Sequence, residues 1–180
     1  MKIRGEIQKL IKRKKFARVT RKYAKGRSQI ERGYFLKASK ELAILQECDD
    51  FQLEGSVVFP IEQIEKIRYN RNDAFYDKIV TKEGLKTQLR MNVKVDISDW
   101  VSLFTEFKEN QKGVIIECES RDFSDFLIGK IVKISKKKVW IHNFNAQGRL
   151  DGKPSKIKLK NITRVTFNDR YIEVFEKYVK

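Results

Sequence analysis

Hydrophobic residues at the start of the chain recur with a helical period. Ile3, Ile7, Leu10 and Ile11 stand at positions i, i+4, i+7 and i+8, which places them on one face of a helix over residues 1–15. Polar residues fill the opposite face. We therefore predict an amphipathic helix whose apolar face packs on the rest of the protein and not into a membrane.

After this helix the pattern changes to alternation and short apolar runs, which are typical of strands. A strand is expected to begin near Phe16, and Ser39-Lys40 is predicted to be a turn. A polar loop is expected over residues 49–55, and a short helix over residues 73–80. The other strands expected in this part of the chain are 32–38, 41–48, 56–59 and 64–69.

A similar order of elements is predicted after residue 97. Ser98 is a plausible N-cap for a helix. The predicted faces of this helix and of a terminal helix are Trp100, Leu103, Phe104 and Phe107, and Tyr171, Val174, Phe175 and Tyr178. The strands expected between them are 114–118, 127–134, 138–144, 156–159 and 162–167.

The chain contains what reads as an internal repeat. Gly33 is followed six residues later by Ser39, and Gly129 by Ser135; an apolar run follows each serine. Downstream, Glu54-Gly55 corresponds to Asp151-Gly152, and both are read as turns that need the free φ of glycine. The repeat predicts two units.

The predicted units cover residues 1–80 and 98–180, with a linker over 81–97. Alternating apolar residues in the linker (Met91, Val93, Val95 and Ile97) favour an additional edge strand over a loose tether. Each unit would be one helix followed by about five short strands. Because five short strands cannot bury both faces as an open sheet, we expect each unit to curl into a small barrel. The fold class is then mainly β with short helices.

This plan resembles the Sm-like small-barrel fold. Gly33, Phe35, Ser39, Leu42 and Ile44 fit the frame of the Sm pattern, and Gly129, Ile131, Ser135 and Trp140 fit it again. The resemblance implies two tandem Sm-like five-stranded barrels, each preceded by a helix.

The Sm signature itself is degenerate in this chain. Ser39 and Ser135 replace its Asp, and Lys138 occupies an apolar position. Ala43 and Val139 replace the Asn that helps Sm proteins to bind RNA bases, and the Arg-Gly step of the second signature is absent. The resemblance therefore implies the fold more than the ring-shaped RNA site.

Three segments are also similar to uncharacterised bacterial proteins that carry such units singly or in pairs. These segments are residues 100–107, 125–132 and 165–171. The resemblance covers most of the chain and implies no known activity.

The charge is concentrated at one end of the chain. Residues 1–28 contain twelve Lys or Arg and one Glu, a net of +11 out of +16 for the whole protein. Such a field suggests a polyanionic partner, either nucleic acid or an anionic membrane, although a basic segment can also serve solubility alone. The residues predicted to bind nucleic acid are Lys12, Arg13, Lys14, Lys15, Arg18, Arg21, Lys22, Tyr23, Lys25, Arg27, Lys136, Lys137 and Lys138.

Little in the sequence points to catalysis. His142 is the only histidine, and Cys48 and Cys118 lie in or beside apolar runs, where burial makes a thiol inert. The acidic groups at 47–50 and at Asp122 and Asp125 are read as solvated loop carboxylates. We expect neither an enzyme nor a bound cofactor or metal.

The function predicted from these features is non-enzymatic binding of nucleic acid, with RNA favoured, through backbone charge. The alternative is a protein–protein adaptor or scaffold that uses exposed strand edges. The two isolated cysteines fit a reducing cytoplasm. No apolar run is long enough to span a membrane, so no integral membrane association is expected. The oligomeric state stays open.

Overall fold

The computed structural model describes residues 2–119 and 124–180 of the chain. It divides the chain into two compact units, Met1–Lys94 and Val95–Lys180. Asp122, one of the carboxylates considered above, lies outside the described residues.

The first unit contains two helices and five strands. They are α1 (Lys2–Arg13), β1 (Phe16–Ala24), β2 (Arg27–Ala38), β3 (Leu42–Asp49), β4 (Gln52–Pro60), β5 (Ile64–Arg68) and α2 (Arg71–Lys82). Short 3-10 turns lie at Ile61–Gln63 and Leu85–Gln88.

The second unit also contains two helices and five strands. They are α3 (Trp100–Glu109), β6 (Gly113–Glu119), β7 (Ser124–Ile134), β8 (Lys138–Asn143), β9 (Ser155–Lys158), β10 (Arg164–Phe167) and α4 (Arg170–Phe175). A 3-10 turn at Leu159–Asn161 precedes β10.

The prediction of two separate five-stranded barrels is wrong. The strand order is open in each unit, and the pairs described in both units are antiparallel. The order within the first unit is β5-β1-β2-β3-β4, and within the second unit β10-β6-β7-β8-β9.

Helical segments cover both faces of the strands in the first unit, which explains why these strands need not close into a barrel. On one face, Ile7 and Leu10 of α1 join a buried cluster with strand residues such as Val19 and Phe35. On the other face, Val80 of α2 and the segment that follows it cover the second cluster, which includes Phe16, Tyr34 and Cys48. The premise that five short strands must curl therefore fails, since elements outside the sheet bury its apolar faces.

The second unit also packs helices against its strands. Phe107 of α3 is buried, with its ring centroid 5.1 Å from that of Phe167 on β10. Ile172 of α4 lies in a cluster with Ile115 and Ile128 from β6 and β7. Both helices thus shield apolar strand residues from water.

Gly33 and Gly129 occupy the same kind of position in β2 and β7. A Cβ atom on Gly33 would lie 1.9 Å from the carbonyl oxygen of Gln46, and one on Gly129 would lie 2.0 Å from that of His142. Their φ angles are 153° and 158°. Each strand therefore requires glycine, because the neighbouring backbone passes where a side chain would begin.

The loop predicted over residues 49–55 is instead a tight turn. Strand β3 continues to Asp49 and β4 begins at Gln52, with Asp50 and Phe51 between them at φ 42° and 59°. Two consecutive positive φ angles match the twist of a two-residue hairpin. Gly55 lies inside β4, so the turn interpretation is wrong there. Gly152 lies at a bend between β8 and β9, but its φ is not positive, so this position does not need the conformational freedom of glycine.

The edge strand predicted in the linker is also not observed. Residues 91–97 form neither strand nor helix, although Leu89 and Ile97 are buried and anchor the segment at its two ends. Met91, Val93 and Val95 are half-buried and alternate with exposed residues, so this alternation arises here without a strand.

Two predictions about the helices of the second unit need correction. Asp99, and not Ser98, caps α3, because its carboxylate accepts a hydrogen bond from the Ser102 amide. In α4, Ile172 is the buried residue, whereas Tyr171 and Val174 of the predicted face are exposed. The helix is too short for its periodicity to identify the packed side.

Candidate nucleic-acid interface

Three of the predicted cations lie exposed at the end of α1. Lys12 and Arg13 complete its last turn, and Lys14 follows with a φ of 45°. The amide of Lys15 donates a hydrogen bond to the carbonyl of Leu10, which closes the helix. The side chains of Lys12, Arg13 and Lys14 are therefore accessible to an anionic ligand.

The next two cations are partly used in attaching α2 to β1. Lys15 Nζ lies 3.3 Å from a carboxylate oxygen of Asp77, and Arg18 Nε lies 3.1 Å from one of Asp73. A hydrogen bond with Tyr69 raises the pKa of Lys15; burial opposes this rise and Asp77 adds to it. Lys15 thus has a structural role as well as a charge.

Arg21 cannot serve as a surface cation, because its side chain is fully buried. Its Nε donates to Glu31 at 3.0 Å, and its terminal nitrogens donate to Gln63 at 2.9 Å and to Gln29 at 3.3 Å. Glu31 is itself only 1% exposed. The pair neutralises its own charge inside the unit, so Arg21 is removed from the predicted interface.

The remaining N-terminal cations are exposed near the β1–β2 turn. Lys22 lies on β1, Lys25 lies in the turn and Arg27 opens β2. Gly26 supports the turn with a φ of 73°.

The two aromatic residues of the basic segment differ in position. Phe16 is 1% exposed and packs against the rings of Tyr34 and Tyr76, so it belongs to the core. Tyr23 is half-buried, and the guanidinium carbon of Arg21 lies 5.3 Å from its ring centroid. A buried cation thus already contacts the ring proposed for stacking.

The register of β1 with its neighbours produces a row of arginines. Arg18 is paired with Arg32 on β2 and with Arg68 on β5. Paired residues of antiparallel strands point to the same face, with Cβ atoms about 5 Å apart. In the next row, Thr20 is paired with Lys66. We define the β1 face by its five cations, Lys22, Arg18, Arg32, Lys66 and Arg68.

Two carboxylates offset part of this charge. Asp73 is buried at the start of α2, where Arg68 donates to both of its oxygens at 3.0 Å. Burial alone would raise the pKa of Asp73, but hydrogen bonds from Arg68 and the Asn70 amide, with the Arg68 and Arg18 charges, hold it below its ordinary value. Asp49 pairs with Arg32 at 3.1 Å. Five cations against two carboxylates leave the face positive.

Three residues of the β1 face were missed by the sequence reasoning, namely Arg32, Lys66 and Arg68. Lys66 and Arg68 are two residues apart on one predicted strand, and such a spacing indicates a shared face. The two-residue spacing of Lys66 and Arg68 is visible in the sequence, but only the strand register shows that the missed residues lie beside Arg18.

Lys136, Lys137 and Lys138 lie where predicted, at the turn between β7 and β8. Lys136 and Lys137 are exposed, and Lys138 is half-buried. The hydroxyl of Ser135 accepts the Lys138 amide at 3.1 Å, an arrangement that Ser39 repeats with Leu42 at 2.9 Å. The serine therefore holds the turn in both places. The turn geometry does not account for the three lysine charges.

The candidate chemical groups occupy structural positions. Burial raises the pKa of Cys118 to about 12 and raises that of Cys48 as well. His142 Nε2 donates a hydrogen bond to the carbonyl of Asp151 at 2.9 Å. Among the described residues, no group of three or more His, Cys, Asp or Glu side chains is placed to hold a metal ion.

Within residues 2–119 and 124–180, none of the helices combines the length and the apolar character needed to cross a bilayer. Comparison with protein-family profiles, curated proteins and solved structures gives no match for this chain. The resemblance to tandem Sm-like bacterial proteins stays a prediction, and the functional argument rests on the residues themselves.

Proposed function

We propose that the protein is a non-enzymatic nucleic-acid-binding protein whose β1 face contacts the phosphate backbone, with RNA as the favoured ligand. The observation that carries the proposal is the arginine row, in which Arg18 stands between Arg32 and Arg68. The three guanidinium groups carry one positive charge more than Asp73 and Asp49, the carboxylates that pair with them. This excess positive charge can attract the phosphates of a polyanion.

Ligand access supports the same proposal. The side chains of Arg18, Arg32 and Arg68 are 33%, 42% and 40% exposed, so their ion pairs with carboxylates leave part of each guanidinium open to solvent. Lys22 and Lys66 are exposed. Such cations can bind phosphates and release the counterions that surround a nucleic acid.

The cations at the end of α1 would extend the contact. Lys12, Arg13 and Lys14 are exposed, and no carboxylate among the described residues pairs with them. These three cations supply charge but no feature that would select one base over another. Binding through these residues and the β1 face would therefore depend on charge more than on sequence.

The test compares a face variant with a variant of equal net charge. Lys22→Gln, Arg32→Gln and Lys66→Gln together remove three exposed cations from the β1 face. The control, Lys9→Gln, Lys78→Gln and Lys82→Gln, removes three exposed lysines from α1 and α2 of the same unit. Fluorescence anisotropy with labelled single-stranded RNA would measure affinity across salt concentrations.

We expect the face variant to bind more weakly than wild type and to lower the slope of log K against log salt by about 2, since each lost phosphate contact removes about 0.7. The control should stay close to wild type. Equal losses in the two variants would show that net charge alone governs binding and would remove the β1 face from the proposal.

A groove of about 750 Å³ in the first unit favours the adaptor function as a second candidate. Ile3 of α1 lies on one side, and Ile61 and Ile64 contribute apolar surface. A protein segment with apolar side chains would fit such a lining. Absence of RNA binding at low salt, where phosphate contacts are strongest, would make this the leading function.

A further inference from the structure

The outward face of β7, β8 and β9 places a tryptophan among lysines. Trp140 on β8 is paired with Lys133 on β7 and with Lys156 on β9. In the next row, Lys138 is paired with Lys158. In the row on the other side, Lys130 is paired with His142. We define the Trp140 face by Trp140 and the five lysines Lys130, Lys133, Lys138, Lys156 and Lys158.

The alternation of β8 shows that Trp140 lies outside the core. Val139 and Ile141, the residues on either side of it, are fully buried, and Ile157 on β9 is buried. Trp140 points to the opposite side of the sheet and remains partly exposed. A large aromatic ring on a solvated strand face is therefore available to a ligand.

The lysines of this face are not neutralised within the described part of the chain. None of the five forms an ion pair with a described carboxylate, and Lys136 and Lys137 at the adjacent turn add two more charges. Lys138 and Lys158 face each other directly. Such pairing costs stability unless an anion lies between the two ammonium groups.

Protection of a sheet edge explains only part of the pattern. Because β9 stands at the end of the strand order, lysines at positions 156 and 158 would discourage association through that edge. This purpose does not require Trp140, nor the lysines at positions 130 and 133 on β7. The combination of an accessible ring and surrounding cations fits a ligand that has both phosphates and open base faces.

The contact between Lys133 and Trp140 leaves the ring usable. Lys133 Nζ lies 5.0 Å from its ring centroid. An exposed contact of this kind is weaker than the stacking of a base on an aromatic side chain. A base can therefore displace the lysine, whose ammonium group then becomes available to a phosphate.

We propose that the Trp140 face binds single-stranded nucleic acid, with one unpaired base stacked on Trp140 and the lysines on the flanking phosphates. This inference deepens the proposed function and rests on it, because it assigns a strand preference that the β1 face does not supply. Bases inside a duplex are already stacked on one another, so a duplex would use the lysines alone.

Two single-tryptophan variants test the proposal by fluorescence. Trp100→Phe leaves Trp140 as the only reporter, and Trp140→Phe leaves Trp100, which stacks on Phe104 in α3. Each is titrated at low salt with single-stranded oligouridine, with an RNA duplex of the same length and with polyglutamate. Single-stranded RNA should quench Trp140, leave Trp100 nearly unchanged and act more strongly than the duplex or polyglutamate.

Affinity measurements complete the test. Trp140→Leu removes the stacking surface and should weaken single-strand binding about 10-fold, with duplex affinity changed less than about 2-fold. Thermal unfolding of the same variant checks that it is folded. Lys133→Gln with Lys156→Gln should instead weaken both ligands and lower the single-strand salt slope by about 1.4.

Two outcomes separate failure of this inference from failure of the proposed function. If single-stranded RNA binds wild type tightly but neither quenches Trp140 nor distinguishes Trp140→Leu, the strand binds elsewhere and this inference is overturned. If no RNA binds, both proposals are overturned. Equal quenching by polyglutamate would identify a general anion surface and would also overturn the stacking role.

Discussion

At the residue scale, the charge of a side chain does not reveal what it contacts. Arg21 and Lys22 are neighbours in the basic segment, yet Arg21 is fully buried against Glu31 and Lys22 is exposed. The sequence groups them because both are cationic. Alternation along β1 separates them, since consecutive residues of a strand point to opposite faces.

The buried pair gives a stability prediction. Glu31→Gln leaves Arg21 charged without a carboxylate in a water-excluded site, and breaking a buried pair in this way costs about 3–5 kcal/mol. Urea unfolding should therefore show a large loss of stability. Glu65→Gln, at an exposed position on β5, provides the control and should change stability by less than about 0.5 kcal/mol. Similar losses in both variants would contradict the structural role assigned to Arg21.

At the element scale, local patterns predicted most of the regular structure. The helix at the N-terminus and the start of β1 at Phe16 were both predicted and are observed. The tight β3–β4 turn was missed, because Asp50-Phe51 is not a typical turn pair. Only the pairing of both strands shows that these residues adopt positive φ.

The glycines of β2 and β7 give a prediction about strand geometry. Gly33→Ala and Gly129→Ala should each destabilise the protein by about 2 kcal/mol or more, because the new methyl group would meet a neighbouring carbonyl. Gly5→Ala is the matched control: nothing lies within 4 Å of its Cβ position in α1. It should stabilise the helix by up to about 1 kcal/mol. Thermal unfolding measures all three, and a neutral Gly33→Ala would refute the close approach.

The start of α2 gives a pH prediction. Because the pKa of Asp73 is lowered in the folded protein, its ionised form adds stability above the pKa of the unfolded chain, and this contribution is lost as pH falls through the folded value. Asp73→Asn should thus be less stable than wild type at neutral pH, with the difference shrinking below about pH 4.

Asp49→Asn is the control for this prediction, since its ion pair with Arg32 is exposed and contributes little. Urea unfolding at neutral and acidic pH would measure both variants. A gap between wild type and Asp73→Asn that stays constant to low pH would contradict the lowered pKa.

At the scale of the whole molecule, composition predicted a basic protein. It predicted neither the arrangement of the strands nor the residues that form the binding faces. The barrel prediction assumed that strands alone must bury their apolar residues, whereas α1 and α2 cover both faces of the first unit. Long-range register has no local signal in the sequence. For the same reason Arg68 and Lys156 were not recognised as partners of Arg18 and Trp140.

The central claim is that cationic strand faces bind nucleic acid through its phosphates. The most direct measurement is the anisotropy of labelled single-stranded RNA with the wild-type protein across a salt series. We predict micromolar or tighter binding at low salt and a linear fall of log K with log salt, with a slope of about −2 or steeper from three or more phosphate contacts. Absence of binding at low salt, or an affinity that does not change with salt, would contradict the claim.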